Sequence, residues 1–511
     1  MRPIHPFDTR ALFSNGSPMV RFIMVASPID TWASMRNRSP CRQGMHRRSE
    51  AGPRQADTRE HVGASRQDRE GAGLGVRFCV FQTFFRYMNN PRIQPTMYDF
   101  DYGRIPPIHS GTGKLARLPA IVSQLGGKSV LLVTGASSLR TSGKLEHIQS
   151  LLSNANITVH SVTCSGEPST AFIDETRAEF HARSIDVVVG IGGGSVMDAG
   201  KAISAMLPHE NSIFDHLEGV GRGIPHDGVK KPYIAAPTTS GTGSETTKNA
   251  VISQIGPGGY KKSLRHDNLI PDAIIVDGEL LISCPRDVTF ACGMDAFTQL
   301  LEPYLSPHLS EPTRAMAWSG FEAIARNFPN VCGAGSGDRK AREGMAYAAL
   351  LSGVALANDG VGIVHGLASP IGGLFPIPHG VVCATLMASS VRTNIRALRA
   401  RAPESPALDK MARVGALFSS YDQGAYSSSD RPTSSPDFFM GMNGSVKDRD
   451  DNCDRLVEIL DKWTSDFHAP RLGRYGIREQ DLDAIAEKAQ NRNNPIALAH
   501  DEIRGMLEER L

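Results

Sequence analysis

Directly after the apolar run Ile185-Asp-Val-Val-Val189 the chain reads Gly190-Ile-Gly-Gly-Gly-Ser195-Val-Met-Asp198-Ala-Gly-Lys201, and an apolar-periodic stretch follows. This order suits a strand that turns into a helix through consecutive glycines, because glycine lets the backbone turn tightly and approach a ligand closely. Ser195 is placed to cap the helix, with Asp198 completing a Ser-x-x-Asp pattern. The amides and positive dipole end of that helix would then face an anion such as a pyrophosphate. Two better-defined phosphate motifs fail here. G-x-x-x-x-G-K-[ST] needs Gly in place of Ser195 and Ser or Thr in place of Ala202, and G-x-G-x-x-G counted from Gly190 needs Gly in place of Ser195. Tight packing of strand on helix, without a ligand, is the competing reading of the turn.

The turn sits in a longer rhythm. Ser129-Val-Leu-Leu-Val-Thr-Gly135 is an apolar run closed by glycine. A helical stretch over 143–155, the run Ile157-Thr-Val-His-Ser-Val162 and a helix over 172–183 lead up to the strand at 185–189. Such βαβ alternation predicts a doubly wound parallel sheet. Tyr233-Ile-Ala-Ala236 and Ala273-Ile-Ile-Val276 continue it, and beyond Glu279 long helical patterns replace the β-branched runs. The expected fold class is therefore an α/β domain over 97–278 followed by an all-helical domain over 279–511. An extension over 1–96 precedes them. A length of 511 residues suits this division, since single cores rarely grow past ~250–300 residues. Within the helical part, the polar stretch from Ser419 to Asp451 reads as a long loop.

Residues 1–70 hold 12 Arg, no Lys and 7 acids, with no sustained period. Arg-rich, acid-poor composition suits a mitochondrial transit peptide; a disordered tail, or a true start at Met88 or Met97, is the alternative. Eight scattered cysteines without C-x-x-C read as reduced thiols, which points to an intracellular compartment, cytoplasmic or mitochondrial. With 55 Lys and Arg against 53 Asp and Glu, no global field favours nucleic acid or an anionic membrane. No run approaches the ~18–20 apolar residues of a spanning helix. Partners of those kinds are not expected, and a homo-oligomer is left open.

Three further clusters carry chemistry. Pro237-Thr-Thr-Ser-Gly-Thr-Gly-Ser-Glu245 follows a strand and offers hydroxyls at the carboxyl edge of the sheet, where ligands of open α/β sheets bind. Gly293-Met-Asp295-Ala-Phe-Thr-Gln299 puts Asp295 and Gln299 on one helix face. His365 and His379 lie in apolar, glycine-rich surroundings. One carboxylate and two imidazoles, with the Gln299 carbonyl oxygen as a fourth donor, make a set for a divalent metal. Taken singly, each histidine also fits a satisfied core position.

Together these motifs, in this order, resemble the iron-containing (group III) alcohol dehydrogenases from about Ile105 to Leu511. The resemblance implies an architecture like that of dehydroquinate synthase, with NAD or NADP and a catalytic divalent metal (Fe2+ or Zn2+) in the cleft between the domains. Residue by residue, it assigns Gly193, Gly194 and Ser195 to pyrophosphate, Thr238 and Thr239 to the cofactor cleft, and Lys262 to the ribose. Asp295, His365 and His379 become catalytic metal ligands. Gln299 stands where the family usually has its first metal-binding histidine, and Ser369 where many members carry another active-site histidine. A branch with Asp-Ala-x-Thr-Gln and Phe-Pro-x-Pro-His-Gly is similar to this variant. At the nucleotide end, Gly135 closes a strand without the acid that binds a ribose 2′-hydroxyl, which favours NADP. The implied reaction is reversible oxidation of a small alcohol to an aldehyde or ketone. The alternatives are a lyase resembling dehydroquinate synthase, which uses nicotinamide transiently, and a degenerate member without catalysis.

Overall fold

Six parallel strands form the first layer: β1 (Ile108–Ser110), β2 (Ser129–Gly135), β3 (Thr158–Cys164), β4 (Val187–Gly192), β5 (Tyr233–Pro237) and β8 (Ala273–Val276). The sheet runs β1-β8-β5-β4-β2-β3, and every neighbouring pair is parallel. The computed structural model describes residues 100–422, 445–491 and 493–511, all within one compact unit. The extension over 1–96 lies outside them.

Strand periodicity of two explains why the sheet is covered on both faces. Leu131, Val133, Val188, Tyr233 and Ala235 enter one core, while Val130, Leu132, Val187, Val189, Ile234 and Ala236 enter the other. Each fully buried Val or Leu of this kind contributes roughly 1.5–3 kcal/mol. Helices α1 (Leu118–Gln124), α2 (Lys144–Asn154), α3 (Thr170–Phe180) and α4 (Gly194–Met206) supply the covering layers. After β3 the chain crosses back, so β4 pairs with the other side of β2. The order reverses there, and α4 starts at that edge. This is the switch point at which α/β sheets bind ligands.

Three strands escape the apolar-run reading. β1 has three residues, and β6 (Asn249–Gln254) and β7 (Tyr260–Arg265) form a separate antiparallel ribbon of largely polar sequence.

The rest is helical: α5 (Arg286–Leu305), α6 (Glu311–Cys332), α7 (Arg339–Asp359), α8 (Ile363–Leu374), α9 (His379–Arg401), α10 (Pro406–Asp422), α11 (Val446–Asp466), α12 (Leu482–Glu487) and α13 (His500–Glu508). Phe297, Phe321, Phe328 and Trp463 anchor their common core. The expected loop from Ser419 to Asp451 is shorter than its composition suggests. Helix α10 extends to Asp422, and Ser445 with Asp448 forms a capping box that starts α11. Residues 423–444 lie outside the described set. Among the described residues no single helix is long and apolar enough to cross a membrane; α7 and α8 pass only as a pair bent by 95°. That bend turns on Gly360, whose φ of +74° is a conformation few other residues adopt.

Tyr233 locks α4 onto the sheet. Fully buried, it donates its hydroxyl to Met197 O at 3.0 Å. A Cβ at Gly200 would lie 2.7 Å from its ring. Alanine in a helix interior is favoured over glycine by about 1 kcal/mol, whereas overpacking a rigid core costs about 1–3 kcal/mol. Gly200→Ala is therefore expected to destabilise the protein despite better helix propensity, as a lower denaturation midpoint in urea.

Candidate active site

Helix α5 brings Asp295, Gln299 and Glu302 to one face, at spacings of four and seven. Asp295 is 1% exposed. The first turn of α8, just past the Gly360 bend, presents His365, and α9 opens on His379. His365 Nε2 and His379 Nε2 each lie 3.4 Å from Asp295 Oδ1. His365 is aimed by its other nitrogen: Nδ1 lies 2.7 Å from Glu302 Oε2, and Val364 N donates to Glu302 Oε1 at 2.7 Å. A carboxylate behind an imidazole fixes its tautomer and orientation, as metal-binding histidines require.

Two buried carboxylates facing two imidazoles set the local charges. Burial alone would raise the Asp295 carboxyl, but His379 and His365, by charge and hydrogen bonding, hold it well below the usual carboxylate range. Burial alone would lower His365, but Glu302 and Asp295 push it up to about 10. Asp295 Oδ2 is buried without a hydrogen-bond partner, and buried His365 Nε2 has only its long 3.4 Å contact with Asp295 Oδ1. Buried polar atoms so poorly partnered are costly unless something fills the space beside them, and one ligand atom each of Asp295, His365 and His379 lies within 4.8 Å of the others. An oxygen and imidazole nitrogens are ligands that iron(II) and zinc(II) accept, so the residues fit a divalent ion.

The same cavity, of about 460 Å³, reaches the edge of the sheet. Gly194, Ser195 and Asp198 of α4 line one end with Thr242, Ser244 and Thr247; Gln299, His365, Ser369 and His379 line the other. Lys201 holds the threonine-rich loop against α4. It is 1% exposed, and its Nζ donates to Ser244 O at 2.8 Å, Thr247 Oγ1 at 2.9 Å and Asn249 O at 2.7 Å. Burial pushes this ammonium down to about 8, against the pull of Asp198 and Glu245. A groove between α9 and α11, lined by Arg392, Arg396, Arg399, Asp454 and Glu458, carries no comparable set of donors.

Family models described as "Iron-containing alcohol dehydrogenase" and "Fe-containing alcohol dehydrogenase family, C-terminal" match residues 106–278 and 289–511. The chain belongs to the iron-containing alcohol dehydrogenase family. It is 32% identical over 419 residues to long-chain-alcohol dehydrogenase 1 of Geobacillus thermodenitrificans, covering 79% of this chain and 95% of that protein. It is 28% identical over 391 residues to an NAD-dependent methanol dehydrogenase of Bacillus methanolicus, covering 75% and 92%. The crystal structure of a 1,3-propanediol oxidoreductase superposes with a TM-score of 0.68 at 29% identity, covering 81% of this chain and all of that one. The chain is thus an oxidoreductase of the alcohol dehydrogenase kind.

Within this family fold the residues singled out from sequence divide into groups. Asp295, His365 and His379 come together. Gly193 and Gly194 form the turn into α4, and Gly194 must lack a side chain because a Cβ there would lie 2.7 Å from Thr242 Cγ2. Gly135 ends β2 beside this turn, with Val196 its neighbour. Thr238 N donates to Gly192 O at 2.8 Å and Thr239 packs on Gly193, so both underlie the glycine turn.

Three expectations are corrected. Ser195 does not cap α4: Gly193 is the N-cap and no side chain caps the helix, while Asp198 accepts from Ser244 Oγ at 2.6 Å. The helix-end amides face the cavity without a competing side-chain acceptor. Lys262 does not reach the cavity. Its Nζ is directed toward Gly219, whereas Lys261, Ser263 and Arg265 line the site, because alternate residues of β7 face opposite sides. The Gln299 carbonyl oxygen accepts from Ser352 Oγ at 3.2 Å, and its amide donates to Asp295 Oδ1 at 3.0 Å. An amide beside a carboxylate presents its N–H, so the expected oxygen donor is turned away from the cluster.

Sequence reasoning missed Glu302, although its place seven residues after Asp295 on the same face was a usable signal. It also missed the Glu167–Lys261 ion pair, 2.7 Å long and on the cavity wall, for which spacing offers none. Glu302→Ala is expected to weaken divalent-metal affinity by about 10- to 100-fold, measured by competition with a chromophoric chelator.

Proposed function

We propose that this cavity carries out reversible, NAD(P)-dependent and metal-dependent hydride transfer between a small alcohol and its aldehyde or ketone. The observation that supports it most is the meeting, in one cavity, of an uncapped helix start suited to pyrophosphate and a buried donor cluster suited to a divalent ion. When bound, the ion supplies a Lewis acid that polarises a carbonyl, and the nicotinamide supplies the hydride.

The protein supplies position and charge. Asp295, His365 and His379 hold the ion, and Glu302 keeps His365 Nε2 turned toward it. The amides at the start of α4 bind the pyrophosphate of the cofactor. Leu356, Val361 and Pro378 give the cavity apolar wall beside the histidines, suited to the carbon chain of an alcohol and to excluding water. Ser369 Oγ donates to Lys261 O at 3.0 Å, so its hydrogen is already engaged and it is a poor substitute for an acid–base histidine. Lys261, paired with Glu167 at 2.7 Å, stands at the cavity wall.

A scan of small alcohols and aldehydes with NAD(H) and NADP(H), followed by absorbance of the reduced nicotinamide, tests the reading. Turnover is expected to be lost on chelation and regained with Fe2+ or Zn2+. His379→Ala should abolish turnover while the cofactor still binds, since its pyrophosphate contacts come from α4. Full turnover of chelated enzyme contradicts the proposal, and substrate conversion that requires the nicotinamide but leaves its oxidation state unchanged would favour the lyase alternative.

β2 ends at Gly135 and Ala-Ser-Ser138 follows, without a carboxylate to repel a ribose 2′-phosphate, so NADP is the expected cofactor. A Cβ at Gly135 would meet only Val196 Cγ2, at 3.7 Å, an ordinary contact. Gly135→Asp should therefore fold and lower kcat/KM for NADP by at least about tenfold relative to NAD, because like charges placed together cost several kcal/mol. Steady-state kinetics with both cofactors measure it.

A further inference from the structure

Cys383 lies one helical turn after His379 on α9, so the two side chains share a face. It is fully buried, with Sγ 3.3 Å from Asp295 Oδ1 and 3.9 Å from His379 Nε2. One ligand atom from each of Asp295, His365, His379 and Cys383 falls within 4.8 Å of every other. The amide oxygen of Gln299 is meanwhile tied to Ser352, which leaves three protein donors and room for a further one beside the water or substrate that a catalytic zinc keeps. Asp295 Oδ2 is buried without a hydrogen-bond partner, and His365 Nε2 has only its 3.4 Å contact with Asp295 Oδ1.

We propose that Cys383 is the fourth protein ligand of the divalent metal, a thiolate sulfur in the role that Gln299 does not fill. The inference rests on the metal-dependent reading above. The Cys383 thiol donates to Asp295 Oδ1. On metal uptake the S–H bond breaks, the S–metal bond forms and the proton leaves to solvent through the cavity. Gln299 then acts as a positioning residue, its N–H holding Oδ1 of Asp295 so that Oδ2 stays free for the ion. A soft sulfur donor beside two imidazoles biases the site toward zinc over harder ions such as magnesium or manganese.

X-ray absorption at the zinc edge, on full-length protein loaded with one equivalent of zinc, tests the assignment without relying on activity. The expected spectrum has one sulfur at about 2.3 Å and nitrogen or oxygen neighbours at about 2.0–2.2 Å. The cobalt-substituted protein should show a thiolate-to-cobalt charge-transfer band in the near ultraviolet. Cys383→Ser should lose both signatures and bind zinc at least about tenfold more weakly. Zinc held by nitrogen and oxygen alone overturns the sulfur ligand and leaves the metal-dependent reading standing. A sulfur shell that persists in Cys383→Ser overturns the assignment to this residue. Failure of the wild-type protein to take up zinc, iron or cobalt overturns both.

Discussion

A carboxylate sunk almost wholly out of water inside a helical bundle costs several kcal/mol unless its charge is met, and at Asp295 the geometry of the site follows from how that charge is met. Around a single oxygen the structure gathers His365 from α8, His379 and Cys383 from α9, and the Gln299 amide from α5 itself. Glu302, two turns along the same helix, adds a second buried carboxylate that orients His365. The polar centre thereby specifies how three helices meet, which apolar packing of Phe297 and its neighbours alone would leave less defined. It also leaves the second oxygen of Asp295 buried without a hydrogen-bond partner.

The α/β part is brought to the same point by different physics. Parallel strands buried on both faces fix the sheet, the reversal of strand order opens a crevice at its carboxyl edge, and the glycine turn points the start of α4 into it. Lys201 ties the threonine-rich loop to that helix from beneath. Across the crevice, α8 leans on the ribbon: Ser369 bonds Lys261 O, and Gly256 N donates to Gly373 O at 3.2 Å. The ribbon therefore connects the α4 end of the cavity to the histidine end, and Lys261 with Glu167 stands at that junction.

Much of this was legible in the sequence where one physical rule dominates. Buried parallel strands announce themselves as apolar runs, so β2, β5 and β8 match their runs to within a residue and β4 to within three. β6 and β7 were not, because a two-stranded ribbon with one wet face carries lysines, serines and asparagines that look like loop. The same ribbon explains the Lys262 error, since one position of register in a strand exchanges cavity for opposite face. Ser195 was misread because a capping pattern records what a side chain can do, while the turn began the helix two residues earlier and gave Asp198 to Ser244. At the metal cluster, spacing of four or seven on a helix encodes Gln299, Glu302 and Cys383 equally well. Only the fold tells which of them faces the donors and which stands behind.

The central claim is that one cavity holds a metal at Asp295, His365 and His379 and a nicotinamide dinucleotide at the start of α4. Crystals grown with NADP and zinc, with diffraction collected on both sides of the zinc absorption edge, test it most directly. The account predicts one anomalous peak within bonding distance of those three side chains and a pyrophosphate on the amides of Gly194 and Ser195. A metal elsewhere, or a nucleotide that leaves the α4 start untouched, would contradict it.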